Sequence, residues 1–174
     1  SVTRETERGT MESLLATPAQ PIEVMIGKLA PYVMVGLLQT VVILVMASVL
    51  FQVTMEGGWI ALIVGVLMFI TGSLALGFLI STVARTQLQA MQMSFFYMLP
   101  SILLSGFMFP FRGMPDWAQA IGQAIPVTHF LRVVRGALLK GEGLATLWPS
   151  HVALGIFVCV VTALAMLRYR RTLD

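Results

Sequence analysis

The sequence predicts an all-α membrane protein with four transmembrane helices, and three observations predict it. Only 11% of the 174 residues are charged while 57% are hydrophobic, with a mean hydropathy of +0.89; soluble domains carry roughly a quarter charged residues. The charges are clustered, leaving charge-free windows at 29–55, 57–84, 86–111 and 143–167, each longer than the roughly 20 residues that cross a bilayer as a helix. The less apolar stretches that remain are short amphipathic pieces rather than domains. A soluble core could absorb one such window, but four leave no polar surface to dissolve the rest. The expected spans are 21–53, 59–83, 87–109 and 147–167. An amphipathic helical region at 1–20 precedes them, a pair of short outer helices at 113–140 comes before the last span, and a tail at 168–174 closes the chain.

The first element is ERGTMESLLATP, from Glu7 to Pro18. Met11, Leu14 and Leu15 fall at the i, i+3, i+4 spacing of one apolar helix face, while Glu7, Arg8 and Glu12 form a polar rim. Gly9 and Thr10 mark its start, Thr10 as N-cap, and Thr17 before Pro18 is biased out of helix. About two turns of helix are too short to be stable in water by themselves, so this one must dock on a protein or lie on a membrane surface.

Pro21 suits the first turn of the first span and Glu23 its positive end. The span exceeds the hydrocarbon core in length, so its first turns belong in the interface, with a bend expected near Pro31. Glu56, Gly57 and Gly58 read as a turn, with Trp59 anchoring the second span at the headgroups. Gly65, Gly72, Ser73, Ala75 and Gly77 offer a small-residue face for a close helix neighbour. Arg85 alone separates the second span from the third, which opens on Gln87, Gln89 and Gln92 and is interrupted by Pro100, Ser101, Ser105 and Gly106. Glutamines near a span end are ordinarily interfacial; facing the bundle, Gln89 and Gln92 with Gln39 and Phe96 would line a path.

In the connection from Phe111 to Gly143, Pro115 starts a helix, Asp116 suits its first turn and Pro126 stops it. Trp117, Ile121 and Ile125 share one side of it. Thr128 is expected to cap a second helix carrying Phe130, Leu131, Val134 and Leu138 on one face and Arg132 and Arg135 on the other, closing at Gly141. Each is too short to span, so the pair should be re-entrant or interfacial.

With the first residues on the cytoplasmic side, Arg4, Arg8, Lys28, Arg85, Arg168, Arg170 and Arg171 are all cytoplasmic, and Arg112, Arg132, Arg135 and Lys140 lie in the single long outer connection. The positive-inside rule favours that topology, with both ends of the chain cytoplasmic. The net charge of +3 is therefore topological, and no basic stripe interleaved with aromatics points to nucleic acid as a partner. Cys159 is the single cysteine, so neither an intrachain disulfide nor a multi-cysteine metal site is available. His129 and His151 are far apart, outside any HExxH pattern, and read as interfacial. GALLKG at Gly136–Gly141 is followed by Glu142 where a phosphate-binding loop needs Lys and Ser or Thr. Ser94, Ser101 and Ser105 sit in apolar helix, where packing or bonding back to the backbone is the ordinary role. No catalytic residue, cofactor or metal ligand is expected in the chain. An intramembrane hydrolase using one of these serines with His129 or His151 remains an alternative, as does a non-transporting membrane scaffold.

Taken in order, ERGTMESLLATP, PIEVMIGKLAPY, ISTVARTQLQAMQ and PSILLSGFMFPFRGMPDWAQAIGQAIPVTHFLRVVRGALLKG resemble the second half of a type-2 ABC-transporter permease of the bacterial drug-efflux-like branch. The resemblance covers essentially the whole chain, and the order of the pieces is what makes it specific. It implies a missing upstream part with a first span, a periplasmic domain and a second span. It implies a cytoplasmic coupling helix docked on an ABC ATPase subunit, which places Glu7, Arg8, Gly9, Thr10, Met11, Glu12, Leu14 and Leu15 at that contact. It places an outer gate on Pro115, Trp117, Ile121, Pro126, Phe130, Arg132 and Arg135. It also implies a second permease copy or homologue, a bacterial inner-membrane location, and ATP and Mg held by the partner ATPase rather than by this chain. The expected function is ATP-driven export of amphiphilic or drug-like substrate.

Overall fold

The computed structural model describes residues 20–53 and 58–173, apart from the side chains of Pro21 and of residues 170–173. The segment Glu7–Leu15 and the turn residues Glu56 and Gly57 lie outside the described residues. Among the described residues there are six α-helices, one 3-10 turn and no strand. They are α1 (Pro21–Phe51), α2 (Trp59–Val83), α3 (Gln87–Leu104), a 3-10 turn (Phe111–Gly113), α4 (Asp116–Ala124), α5 (Pro126–Leu139) and α6 (Leu144–Leu173). α1, α2 and α6 are long and apolar enough to cross a membrane.

Helix ends follow from local chemistry. The Glu23 carboxylate accepts a hydrogen bond from the Gln20 N–H at 3.0 Å, satisfying a donor that the start of α1 would otherwise leave bare. α1 continues through Pro31 and stops at Phe51, where Gln52 takes a left-handed conformation. α3 is capped by the Thr86 hydroxyl, which accepts from the Gln89 N–H at 3.1 Å. It ends at Leu104, before the 109 expected from hydropathy, because Gly106 turns the chain at φ +84°. With 18 residues, α3 is about 27 Å long, and its glutamine-rich start sets it apart from the three longer apolar helices.

α2 is the centre of the bundle and packs most extensively on α6. Ala61 lies beside His151, Gly72 beside Phe157 and Val158, and Phe78 beside Tyr169, so the two helices run parallel. Close approach needs a missing side chain: a Cβ on Gly72 would come within 2.6 Å of the Phe157 ring. α1 runs antiparallel to α2. Its Gly36 faces Ile70, and Met25, in its second turn, is buried with Ala75, Phe78, Val161, Ala165 and Tyr169. Beyond Met25 the apolar residues of α1 are mostly exposed, Met34 at 72% and Val49 at 71%, as suits a helix facing lipid or another protein rather than its own bundle.

Candidate functional site

The sequence-expected outer helices form a corner seated against α2 and α6. Pro115 is the N-cap of α4 and Asp116 its first residue. At Ile125 the last turn of α4 passes directly into α5, which begins at Pro126. The N-cap role expected of Thr128 is not realised. Pro126 has the right fixed φ for a first helical position and no N–H to leave unpaired, so Ile125 takes the N-cap place and the helix starts three residues earlier. The buried Thr128 hydroxyl instead donates to the Gly122 carbonyl at 2.6 Å, and a His129 ring nitrogen lies 2.7 Å from the Gln123 carbonyl. The Gly122 carbonyl also accepts the Ile125 N–H at 3.2 Å, so Thr128 is its second donor, while the His129 contact reaches a carbonyl in the last turn of α4; together they hold the corner closed.

The depth of α5 is fixed by its neighbours on α2. The Phe130 ring stacks on Phe69 with centroids 4.2 Å apart. Val133 lies against Gly65, where a Cβ would approach it to 2.7 Å, and Ala137 lies against Gly58. α5 is thus antiparallel to α2, and Phe130 sits about 15 Å along α2 from Trp59 at 1.5 Å per residue. Gly141, at φ +64°, ends the run, and the Gly136 carbonyl accepts from the N–H groups of Lys140 and Glu142.

Of the residues expected at this gate, Phe130 faces the bundle, stacked on Phe69, and Pro126 is half-buried at the start of α5. Arg132 places its guanidinium 5.6 Å from the Phe111 ring centre, and Arg135 donates to the Gly106 carbonyl at 3.4 Å. Trp117 and Ile121 are exposed. α4 packs instead through Ala118 and Gly122, where a Cβ on Gly122 would overlap the Leu104 carbonyl. Sequence reading followed the large apolar residues of α4; the small pair at i and i+4 was the available signal.

Gln39, Gln92 and Phe96 lie on exposed faces of α1 and α3. Gln89 is also exposed, but its side-chain oxygen accepts the Arg85 N–H at 2.8 Å, which gives it a helix-capping role. α1 packs on α2 and α6, whereas α3 packs on α2, α4 and α5. The expected path residues therefore flank α2 rather than converging within one chain.

His151 corrects a second expectation. It is buried rather than interfacial, with one ring nitrogen 2.8 Å from the Ala61 carbonyl and the other 2.9 Å from the Leu147 carbonyl. It pins α6 to the first turn of α2. Neither histidine hydrogen-bonds a serine: Ser94, Ser101 and Ser105 donate to the backbone carbonyls of Ala90, Tyr97 and Ile102. The described residues thus contain no His–Ser pair of the kind nucleophilic catalysis uses, and no cluster of three or more His, Cys, Asp or Glu that could hold a metal.

Long apolar helices around a parallel α2–α6 pair, three of them able to cross a membrane, with a short helical corner inserted at one end, define a multi-pass helical membrane protein. The chain belongs to the ABC-2 type transporter family, whose model matches residues 1–139. It is 30% identical over 171 residues to the probable multidrug ABC transporter permease YbhR of Escherichia coli (strain K12), covering 98% of this chain and 46% of that protein. It is 33% identical over 174 residues to the probable multidrug ABC transporter permease YbhS of the same strain, covering 99% and 46%. Against ABC transporter G family member 20 of Dictyostelium discoideum the identity is 27%, over 95% of this chain and 23% of that protein. The chain thus spans about half the length of its bacterial relatives. No solved structure matches it significantly.

Proposed function

We propose that the chain belongs to a membrane-spanning permease subunit of an ATP-driven exporter that moves amphiphilic or drug-like substrate outward across the bacterial inner membrane. α1, α2, α3 and α6 are its four spans, with both ends cytoplasmic and the α4–α5 corner as the outer gate. A partner ATPase binds ATP and Mg and contacts Glu7–Leu15. A second permease copy or homologue completes the path, along the exposed faces of α1 and α3 that carry Gln39, Gln89, Gln92 and Phe96.

One observation carries this reading beyond family membership. Met25, only 6% exposed, ties the second turn of α1 to α2 and α6, while further along α1 only a narrow face, with Gly36, Leu37 and Leu44, touches the bundle and most large apolar side chains are exposed. A displacement delivered to the start of α1 would therefore reach the α2–α6 pair directly through the Met25 cluster. Packed helices exchange between discrete arrangements rather than deforming smoothly, so a small push can open or close the far end. The test is uptake of a fluorescent amphiphile into inside-out vesicles carrying the full-length permease, with and without its ATPase. Uptake should require both the ATPase and ATP; uptake indifferent to the ATPase contradicts the proposal.

A further inference from the structure

Where α3 gives way to α4, the chain folds back over its own aromatic ring. Gly106, at φ +84°, and Gly122 together form the socket for Phe111: a Cβ on either would come within 3.0 Å of that ring. Beside it, Gly106, Phe107, Met108, Phe111, Arg112 and Arg135 line a cleft of about 420 Å³. Arg132 reaches the same ring from α5. Three guanidiniums thus gather around one pre-formed aromatic socket. The carboxylates among the described residues are Glu23, Asp116 and Glu142, and none of them forms an ion pair with these arginines.

Depth makes the unpaired charge informative. Arg132 and Arg135 flank Val133, which lies beside Gly65, about 9 Å along α2 from Trp59. Cations at such depth require a counter-charge or water. Guanidinium is the group best shaped to meet phosphate oxygens in pairs. Next to it, Phe107, Met108 and Phe109 are each more than half exposed and offer apolar surface continuous with the charged cleft. The ligand that satisfies both parts carries a negatively charged phosphate headgroup on an apolar tail.

We infer that the cleft formed by Arg112, Arg135 and the Phe107–Phe111 turn binds the headgroup of an anionic phospholipid, with its acyl chains along Phe107, Met108 and Phe109. The inference rests on the outer-gate reading of α4 and α5 and adds a ligand class to it. Arg112 and Arg135 hold the phosphate, and Arg132, 5.6 Å from the centre of the Phe111 ring, supplies the third positive charge.

The test measures lipid binding to the purified full-length permease with its ATPase, in neutral detergent without nucleotide, by native mass spectrometry. The probes are phosphatidylglycerol, phosphatidylcholine with the same acyl chains, and inorganic phosphate. Phosphatidylglycerol should bind at least about tenfold more tightly than phosphatidylcholine, because both offer the phosphate but the choline cation of the latter would be set against the cluster of guanidiniums. The paired change Arg112→Gln with Arg135→Gln should abolish that preference, while Arg112→Lys with Arg135→Lys retains part of it. Should the paired variant misfold, Arg112→Gln alone, at an exposed side chain, should reduce the preference about threefold or more. Equal binding of the two lipids, a preference unaltered in the glutamine variants, or competition by inorganic phosphate at concentrations equal to the lipid would each overturn the inference. Because binding is read without ATP, it fails separately from the gate: lipid preference without any effect of these arginines on transport would sink the gate reading alone.

Discussion

Phe130, four residues past the corner between α4 and α5, lies face to face on Phe69 of α2, with centroids 4.2 Å apart and planes within 6° of parallel. This contact sets how far α5 reaches along α2. Among apolar surroundings the stack contributes through ring packing rather than through removal of area from water, so Phe130→Ala should destabilise the permease by about 1 kcal/mol. Thermal unfolding of the detergent-solubilised protein measures it. In a double-mutant cycle, Phe69→Ala and Phe130→Ala should be coupled by a similar amount; strictly additive losses would mean the rings do not rely on each other.

The two glycines of α2 named for close packing should part company on substitution. Gly72 is pressed on Phe157 of α6, whereas a Cβ at Gly77 meets nothing within 4 Å. Gly72→Val should therefore cost about 2 kcal/mol by wedging α2 from α6. Gly77→Ala should be neutral or stabilising by about 0.5 kcal/mol, because alanine loses less backbone freedom in a helix. Melting temperatures of the two variants decide it, and equal effects would contradict the parallel packing of the two helices.

His151 is a structural clamp in this account. Replacement by Leu removes the donor to the Ala61 carbonyl and should cost about 1 kcal/mol, read as a lower melting temperature, while ATP-dependent transport by the protein that remains folded persists. A fully folded His151→Leu protein with no function at all would instead favour a chemical role for the imidazole and revive the hydrolase alternative.

Much of this was legible in the sequence because a bilayer admits few solutions. The charge-free windows announced α1, α2 and α6, and proline and glycine placed the α4–α5 corner within a few residues. What escaped depended on atoms distant in sequence. Thr128 looks like a cap from its own neighbourhood, and only the Gly122 carbonyl, six residues back across the corner, explains where its hydroxyl bonds instead. His151 looks interfacial by position, and only α2 beside it makes it buried. The end of α3 at Leu104 follows from Phe111 packing on Gly106, a contact that hydropathy does not register. Gln89 illustrates a further ambiguity, since one amide near a span end serves equally as a pore polar group and as a helix cap.

The central claim is that force enters through Leu14 and Leu15 and reaches the bundle through the start of α1. Its most direct test is Leu14→Glu, alone and with Leu15→Glu, in the full-length permease reconstituted with its ATPase into vesicles. Transport of a fluorescent amphiphile and ATP hydrolysis are measured on the same preparation. A charge on the apolar face should break docking without touching the spans, so transport should fall at least about tenfold while the melting temperature stays unchanged. ATP hydrolysis should also lose its stimulation by substrate. Transport at the unmodified rate with both leucines replaced would contradict the account.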